Sequence, residues 1–164
     1  MSDTPQQPAA PEGVPMMRLL TQYLKDLSFE NPAAPQSLGA GQDNPKMEVT
    51  VDVNARAVAE ARFEVELSCS ATAKRNNQVV YVCEVNYAGL LHIENVPQDR
   101  MEPLLLVDAP HLLFPFVRQI VAQSVRDGGF PPLLLEPLDF VSMYQHQKAQ
   151  QAQQAQGAAP AELS

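Results

Sequence analysis

The feature that most constrains this chain is a long stretch without proline. The chain contains 15 prolines, but none lies between Pro45 and Pro97. Proline cannot donate a hydrogen bond to a neighbouring strand, so such a stretch suits the paired interior of a β-sheet. Within it apolar and polar residues alternate over three segments, and Asn76 and Asn77 mark a turn, because asparagine tolerates positive φ. We expect three antiparallel strands whose inward residues are Val49, Val51, Val53, Phe63, Val65, Leu67, Cys69, Ala71, Val79, Tyr81, Cys83, Val85 and Tyr87.

A fourth strand is predicted ahead of this stretch. Residues Met16 to Glu30 also alternate with a period of two. Residues 31–45 then form a connector that is too long for a hairpin, so the second strand need not lie beside the first. The expected inward side chains are Leu19, Tyr23, Leu27 and Phe29, and the expected outward ones are Gln22, Asp26, Ser28 and Glu30.

The chain from Asp108 to Pro132 has the period of an amphipathic helix that ends abruptly. Gly128 and Gly129 supply the left-handed residue that ends a helix. Asp108 is a candidate N-cap, whereas Pro115 predicts a kink or a later start. The apolar face comprises Leu113, Phe116, Val117, Ile120, Val121 and Ser124.

One shorter helix is predicted before this long helix and another after it. Met101 and Leu104 have helical spacing before it, and Asp139 is expected to cap a last helix after it. The strands therefore come first and the helices last. This order predicts an α+β fold, with a four-stranded antiparallel sheet and the helices packed on one of its faces.

Length and composition limit the function. The 164 residues suit one domain, expected at residues 16–150, between a disordered N-terminal tail at 1–15 and a disordered Gln- and Ala-rich tail at 151–164. The formal net charge of −8 would repel phosphate, so nucleic acid is an improbable partner. No unbroken apolar run reaches membrane-spanning length, so we expect no membrane insertion. Cys69 and Cys83 lack redox or zinc spacing, which favours a reducing, cytoplasmic location.

No catalytic pattern is evident. His92, His111 and His146 have no carboxylate or cysteine at ligand spacing, so we expect neither a metal nor a cofactor. Glycine loops for phosphate and nucleophile elbows are absent from the sequence. We therefore expect a protein that is not an enzyme, and outward acids such as Asp26 are explained either by solvation or by a partner.

Several segments together resemble one family. They are YLKDLSFE at 23–30 with the following NPAAP, VCEV at 82–85, LFPFVR at 113–118, and Gly129 to Pro137 with Phe140 and Tyr144. The chain resembles SecB, the bacterial protein-export chaperone family, from about residue 16 to residue 144. The resemblance implies an ATP-independent cytoplasmic holdase that binds unfolded precursor proteins and delivers them to the SecA ATPase. It also implies a homotetramer built as a dimer of dimers.

The resemblance also assigns residues to surfaces. The SecA-contact surface would comprise Asp26, Glu30, Val82 and Glu84. The client groove would comprise Met47, Val49, Val51, Leu133, Leu135, Phe140 and Tyr144, to which the apolar connector adds Phe130. We further expect the long helix to contribute both to the core and to subunit contacts, through Leu113, Val117, Ile120, Val121 and Ser124. The chain departs from the family pattern at 38–43, which reads LGAGQD in a chain with no Trp, so a weaker aromatic end of the groove is expected.

Other classes of function also fit a curved sheet on a long helix. One is a carrier that encloses a lipid-like small molecule, and others are a structural subunit of an oligomer or an enzyme subunit whose site is completed on assembly. A carrier needs a closed apolar cavity, whereas a holdase needs an open groove.

Overall fold

A computed structural model describes residues 13–157. Four strands are followed by three helices, and a short 3-10 turn, Gln36–Leu38, lies between the first two strands. The elements are β1 (Met16–Glu30), β2 (Lys46–Ala59), β3 (Arg62–Arg75), β4 (Gln78–Glu94), α1 (Gln98–Pro103), α2 (Ala109–Asp127) and α3 (Phe140–Gly157).

The strands form one antiparallel sheet in the order β1-β4-β3-β2. The long connector at 31–45 therefore carries the chain across the sheet, as its length predicts. Asn76 and Asn77 make the β3–β4 turn with φ angles of 52° and 61°. The α+β fold class and the four strands are confirmed.

The core lies between one face of the sheet and α2. We call this the inner face, and the opposite one the outer face. On the inner face β3 and β4 bury their alternate residues, and α2 buries Leu113, Phe114, Val117, Val121 and Val125 against them. The buried face of α2 therefore differs from the predicted one. Phe114 is buried, whereas Phe116, which was expected on the apolar face, is 39% exposed.

Strand β1 departs from strict alternation at two places. Its register with β4 shifts between Leu19 and Thr21 and again between Leu24 and Asp26. Each shift reverses the face on which the following residues lie. Tyr23 therefore lies on the outer face and not inward as predicted, and its hydroxyl donates a hydrogen bond to Glu64 there.

The helical segment is continuous from Gln98 to Asp127. Asp108 has helical angles and caps nothing, which corrects its predicted role, because a π-helical turn at Leu104–Asp108 joins α1 to α2. Pro103 and Pro110 flank this turn, and each removes a backbone donor from the helix. The segment is long and apolar enough to cross a membrane by length and composition, but α2 packs on the sheet as a core helix.

The end of α2 fixes its position against β1. Phe130 N–H donates to the Val125 carbonyl at 3.2 Å and Gly129 N–H to the Arg126 carbonyl at 3.0 Å, with Gly129 at φ 92°. A Cβ on Gly128 would lie 2.2 Å from the Phe29 ring. Only glycine allows this close approach of helix and strand.

The predicted domain start at residue 16 coincides with the start of β1, whereas its predicted end lies within a helix. α3 continues to Gly157, past the expected boundary at residue 150. Most of the tails predicted at 1–15 and 151–164, namely residues 1–12 and 158–164, lies outside the described residues and stays a prediction.

Candidate functional site

An open groove follows β2, which is an edge strand of the sheet. Three neighbouring cavities of about 500, 360 and 550 Å³ make up its length. The crossover segment 31–45, the connector 128–139 and α3 form the opposite wall in turn. The first cavity includes Met47, the second Val49 and Val51, and the third Val51 again with Tyr144.

The first cavity has an aromatic floor. Tyr81 packs against Phe130, with ring centroids 4.8 Å apart, and against Phe29 at 5.7 Å. Its hydroxyl donates to the Met47 sulfur at 3.5 Å. The alternation of β4 predicts only a core position for Tyr81, yet this residue also lines the cavity. The groove therefore has an aromatic end although the crossover segment contains no Trp.

Polar contacts hold the crossover segment over this end of the groove. Arg75 donates from Nε to the Asp43 carbonyl at 2.6 Å and from a terminal guanidinium nitrogen to Gln42. The Asn31 amide donates to the Gly128 carbonyl at 3.2 Å, and the Ser37 hydroxyl donates to Asn31. The segment is thus anchored both to β3 and to the end of α2.

Hydrogen bonds also anchor the connector and α3. Arg118 donates to the Leu135 carbonyl at 2.8 Å. Asp139 caps α3 as predicted, because its carboxylate accepts from Ser142 N–H at 3.0 Å and from the Ser142 hydroxyl at 2.7 Å. These bonds hold the pKa of Asp139 below its usual value.

Seven of the eight predicted client-binding residues line these cavities: Met47, Val49, Val51, Phe130, Leu133, Leu135 and Tyr144. Leu135 is only 5% exposed, however, and presents an edge of the core. Phe140 differs from the prediction: it is 1% exposed and packs edge-on against Phe114, so it supports the core. Leu134, for which the sequence predicts no role, is 62% exposed at the second cavity.

The predicted SecA-contact residues lie together on the outer face. Glu30 is opposite Val82, Ser28 is opposite Glu84, and Asp26 is opposite Asn86. Residues opposite each other or diagonal on neighbouring strands lie within about 8 Å. Asp26, Glu30, Val82 and Glu84 therefore form one patch, which we call the acidic patch.

The rows of this patch continue across the sheet without a basic residue. On β3 they meet Ser68, Ser70 and Thr72, and on β2 they meet Glu48, Thr50 and Asp52. The small hydroxyl side chains of β3 thus lie between the carboxylates of β1 and β4 on one side and those of β2 on the other. Lys74, beyond one end of these rows, pairs with Glu48 at 3.2 Å.

A separate ionic cluster lies on the outer face beyond these rows. Glu64 is 7% exposed and accepts from Tyr23, from Arg56 at 3.0 Å and from Lys25 at 3.2 Å. The Tyr23 hydrogen bond, followed by those of Arg56 and Lys25, lowers the pKa of Glu64 to about 2, although burial opposes the shift. Lys25 also pairs with Glu66 at 2.7 Å. The cluster ties β1, β3 and β2 together across Ala88, the small residue opposite both Tyr23 and Glu66.

The residues predicted for subunit contacts divide into two groups. Leu113, Val117 and Val121 are at most 1% exposed and belong to the protomer core, whereas Ile120 and Ser124 are half-buried. The exposed apolar residues on or near α2 include Phe116 at 39%, Leu112 at 44%, Leu24 at 45% and Leu27 at 43%.

The histidines and cysteines occupy separate places. His92 pairs with Glu94 at 2.8 Å, His111 packs edge-on against Phe140, and His146 contacts Gln150 at 3.2 Å. Both thiols are buried, and burial raises the pKa of Cys69 to about 11. Such a thiol is a poor nucleophile.

Comparison with protein families gives one match to most of the chain. The model of the preprotein translocase subunit SecB matches residues 10–151. This chain belongs to the SecB family. Its curated relatives include the protein-export protein SecB of Maricaulis maris, 46% identical over 159 residues and covering 96% of this chain and 92% of the relative. The Bradyrhizobium sp. (strain BTAi1) protein-export protein SecB is 49% identical over 152 residues and covers 92% of this chain and 93% of the relative.

A solved structure shares the fold. The Rv1957 SecB-like chaperone of Mycobacterium tuberculosis, solved with a ChAD peptide from the Rv1956 HigA1 antitoxin, superposes with a TM-score of 0.62. It is 19% identical and covers 74% of this chain and 90% of its own. The family is one of chaperones that act in protein export and not one of enzymes, and this chain shares that role.

Proposed function

We propose that this chain is an ATP-independent holdase that binds unfolded precursor proteins in the groove along β2. The observation that supports the proposal is the groove itself: three open cavities lie end to end, and each is lined in part by apolar residues that are not fully buried. Burying one apolar side chain of a client there would contribute about 1.5–3 kcal/mol. Contact with several sites would then hold a long chain without any nucleotide.

The exposure of the groove favours a holdase over a small-molecule carrier. A carrier would enclose its ligand, whereas Val49 is 40% exposed and Leu134 62% exposed at the second cavity. Such a surface can accept many apolar sequences with little selectivity. Net negative charge on the chain opposes self-association of the same surface.

The acidic patch is the proposed contact for SecA. Its carboxylates are exposed, and one of them, Glu30, lies opposite the apolar Val82. A compact basic region of SecA would be steered to this patch by charge and held by several weak ion pairs together. Groove and patch lie on different faces, so a client could stay bound while the complex meets SecA in the cytoplasm.

We place the subunit contacts of a tetramer on the exposed side of α2 and on β1. Phe116 stacks on Tyr87, with ring centroids 5.9 Å apart, and Tyr87 is opposite Leu24 in the sheet. Ile120 and Ser124 extend this surface along α2. A concentration-independent monomer in light scattering would contradict the proposed assembly.

The holdase proposal is tested by comparing two states of one substrate. A reduced, permanently unfolded protein and its native form are titrated separately into this chain without ATP, and binding is followed by calorimetry. We expect binding of the unfolded form only. Equal affinity for both forms, or binding of neither, would contradict the proposal.

A further inference from the structure

Strand β1 contains one extra residue directly before the acidic patch. Leu24 and Asp26 are opposite consecutive residues of β4, so Lys25 between them has no partner there. Such an insertion is a β-bulge, and it reverses the face on which the following side chains lie. Tyr23 accordingly lies on the outer face, whereas Leu27, four residues later, lies on the inner face. The bulge at Lys25 is therefore what lets β1 present Asp26 on the outer face.

The side chain of this extra residue crosses β4 and reaches β3. The Lys25 ammonium pairs with Glu66 at 2.7 Å and with Glu64 at 3.2 Å. Neighbouring strands lie about 4.8 Å apart, so Lys25 and its partners together bridge two strand spacings. Ala88 of β4 leaves room for the crossing, because it is small, fully buried and opposite both Tyr23 and Glu66. The bulge is thus tied across the sheet at the outer face.

Core packing fixes the rest of this half of β1. Phe29 stacks on Tyr81 on the inner face, with ring centroids 5.7 Å apart, so the register after the bulge is set by apolar contacts. The bulge itself lies on an edge strand of the sheet within the protomer, and its extra residue makes no regular pair with β4. Its backbone therefore depends more on the side-chain contacts of Lys25 than the following residues do.

We propose that Lys25 is a positioning residue for the SecA contact: its ion pair with Glu66 holds the bulge, and thereby holds the adjacent Asp26 in its place in the acidic patch. The inference rests on the acidic patch being the surface that binds SecA. It adds a basic residue that assists the binding of a basic partner without contacting it. The charge of Glu64 is not required, because a glutamine there would still accept a hydrogen bond from the ammonium.

Charge and position predict opposite results when Lys25 is replaced. If charge alone mattered, removing a cation beside an acidic surface would strengthen the attraction for a basic partner. If Lys25 positions Asp26, the same replacement weakens binding. Lys25→Met is the decisive variant, because methionine has a similar unbranched side chain but cannot form the ion pair. Lys46→Met, at the exposed first residue of β2, is the matched control with the same change of charge.

SecA affinity is measured by calorimetry at low salt. We expect Lys25→Met to bind SecA about two- to threefold more weakly than the full chain, and Lys25→Arg, which restores the ion pair, to bind as the full chain does. Lys46→Met should bind at least as tightly as the full chain. The loss caused by Asp26→Asn should be smaller in Lys25→Met than in the full chain, because a carboxylate that is no longer held in place contributes less.

Hydrogen exchange of the amides of residues 24–28 tests the bulge without SecA. Exchange should be faster in Lys25→Met than in Lys25→Arg, since the backbone of the bulge opens more often. Equal exchange in these two variants, or a SecA affinity of Lys25→Met equal to or above that of the full chain, overturns the positioning role. Failure of the acidic patch itself looks different: Asp26→Lys with Glu84→Lys would then bind SecA as tightly as the full chain.

Discussion

The groove along β2 and the acidic patch on β1 and β4 use opposite chemistry on one sheet. The groove presents half-exposed valines and leucines over aromatic rings, whereas the patch presents carboxylates among serine and threonine. Apolar contacts are barely weakened by salt, but exposed ion pairs are screened over about 10 Å at 0.1 M salt. With the proposed partners, one small domain would hold a client at any ionic strength and release SecA as salt rises.

The largest expected effect comes from charging the groove. Val49→Asp combined with Leu133→Asp should weaken binding of an unfolded protein by at least about tenfold, because two apolar contacts are lost and two charges must be desolvated. Calorimetry measures the affinity, and SecA binding serves as the readout that should not change. Leu135 is unsuitable for this test, since it is buried and an aspartate there would unfold the protein.

Val58→Asp is the matched control for this double variant. Val58 is 42% exposed on the same strand and lines none of the three cavities of the groove. Client affinity should therefore be retained. If Val58→Asp weakens client binding as much as the groove variant does, the groove is not the site and the contrast between the two surfaces fails.

Reversing the charge of the acidic patch should give the next largest effect. Asp26→Lys with Glu84→Lys is expected to weaken SecA binding about tenfold at low salt and to flatten its salt dependence, since several ion pairs become repulsive. Tetramer mass and client affinity should not change. Glu60→Lys, in the exposed β2–β3 turn, is the control. Unchanged, salt-insensitive SecA affinity in the double variant would leave the patch as a merely solvated surface.

Glu64, the buried carboxylate on the outer face, is expected to contribute to stability but not to SecA binding. Glu64→Gln should lower the free energy of unfolding at neutral pH by about 1 kcal/mol, because hydrogen bonds to a charged acceptor become weaker. The pKa of Glu64 is lowered from its usual 4.5 to about 2, so its contribution is complete above pH 4.5 and is lost as the pH falls towards 2.

Denaturant unfolding at several pH values checks this prediction. The stability difference between the two proteins should be constant above pH 4.5 and should shrink below it. A difference that does not change with pH would show that the charge of Glu64 is not responsible. SecA affinity at neutral pH should be the same for both proteins.

The smallest effect is expected at the apolar residue of the acidic patch. Val82→Thr keeps the shape of the side chain and removes part of its apolar contact, so SecA binding should weaken about two- to threefold. Unlike the effect of the charge reversal, this loss should persist at high salt. A loss that disappears at high salt would mean that Val82 acts only through neighbouring charges.

Much of the fold follows from local patterns in the sequence. Alternation locates four strands, the limits of β1 agree at Met16–Glu30, and the length of the crossover segment allows β1 to lie beside β4. The common face of Asp26, Glu30, Val82 and Glu84 also follows, because both strands keep their alternation there. Each of these features depends on period or on loop length, which a single sequence contains.

The remaining features depend on contacts that no local pattern records. The two register shifts in β1 turn Tyr23 to the outer face, and alternation alone cannot reveal them. Glu64 resembles any outward acid in the sequence, yet three donors from β1 and β2 surround it. Phe140 and Leu135 satisfy the apolar pattern of a groove, but packing places them in the core.

We propose that the open groove keeps precursor proteins unfolded without ATP. The refolding rate of a slow-folding precursor, diluted from denaturant into equimolar protein without nucleotide, measures this activity. We predict that the full chain delays refolding, that Val58→Asp delays it equally, and that the variant carrying Val49→Asp and Leu133→Asp does not. Refolding at the unassisted rate in the presence of the full chain, or an equal delay by the groove variant, would contradict the account.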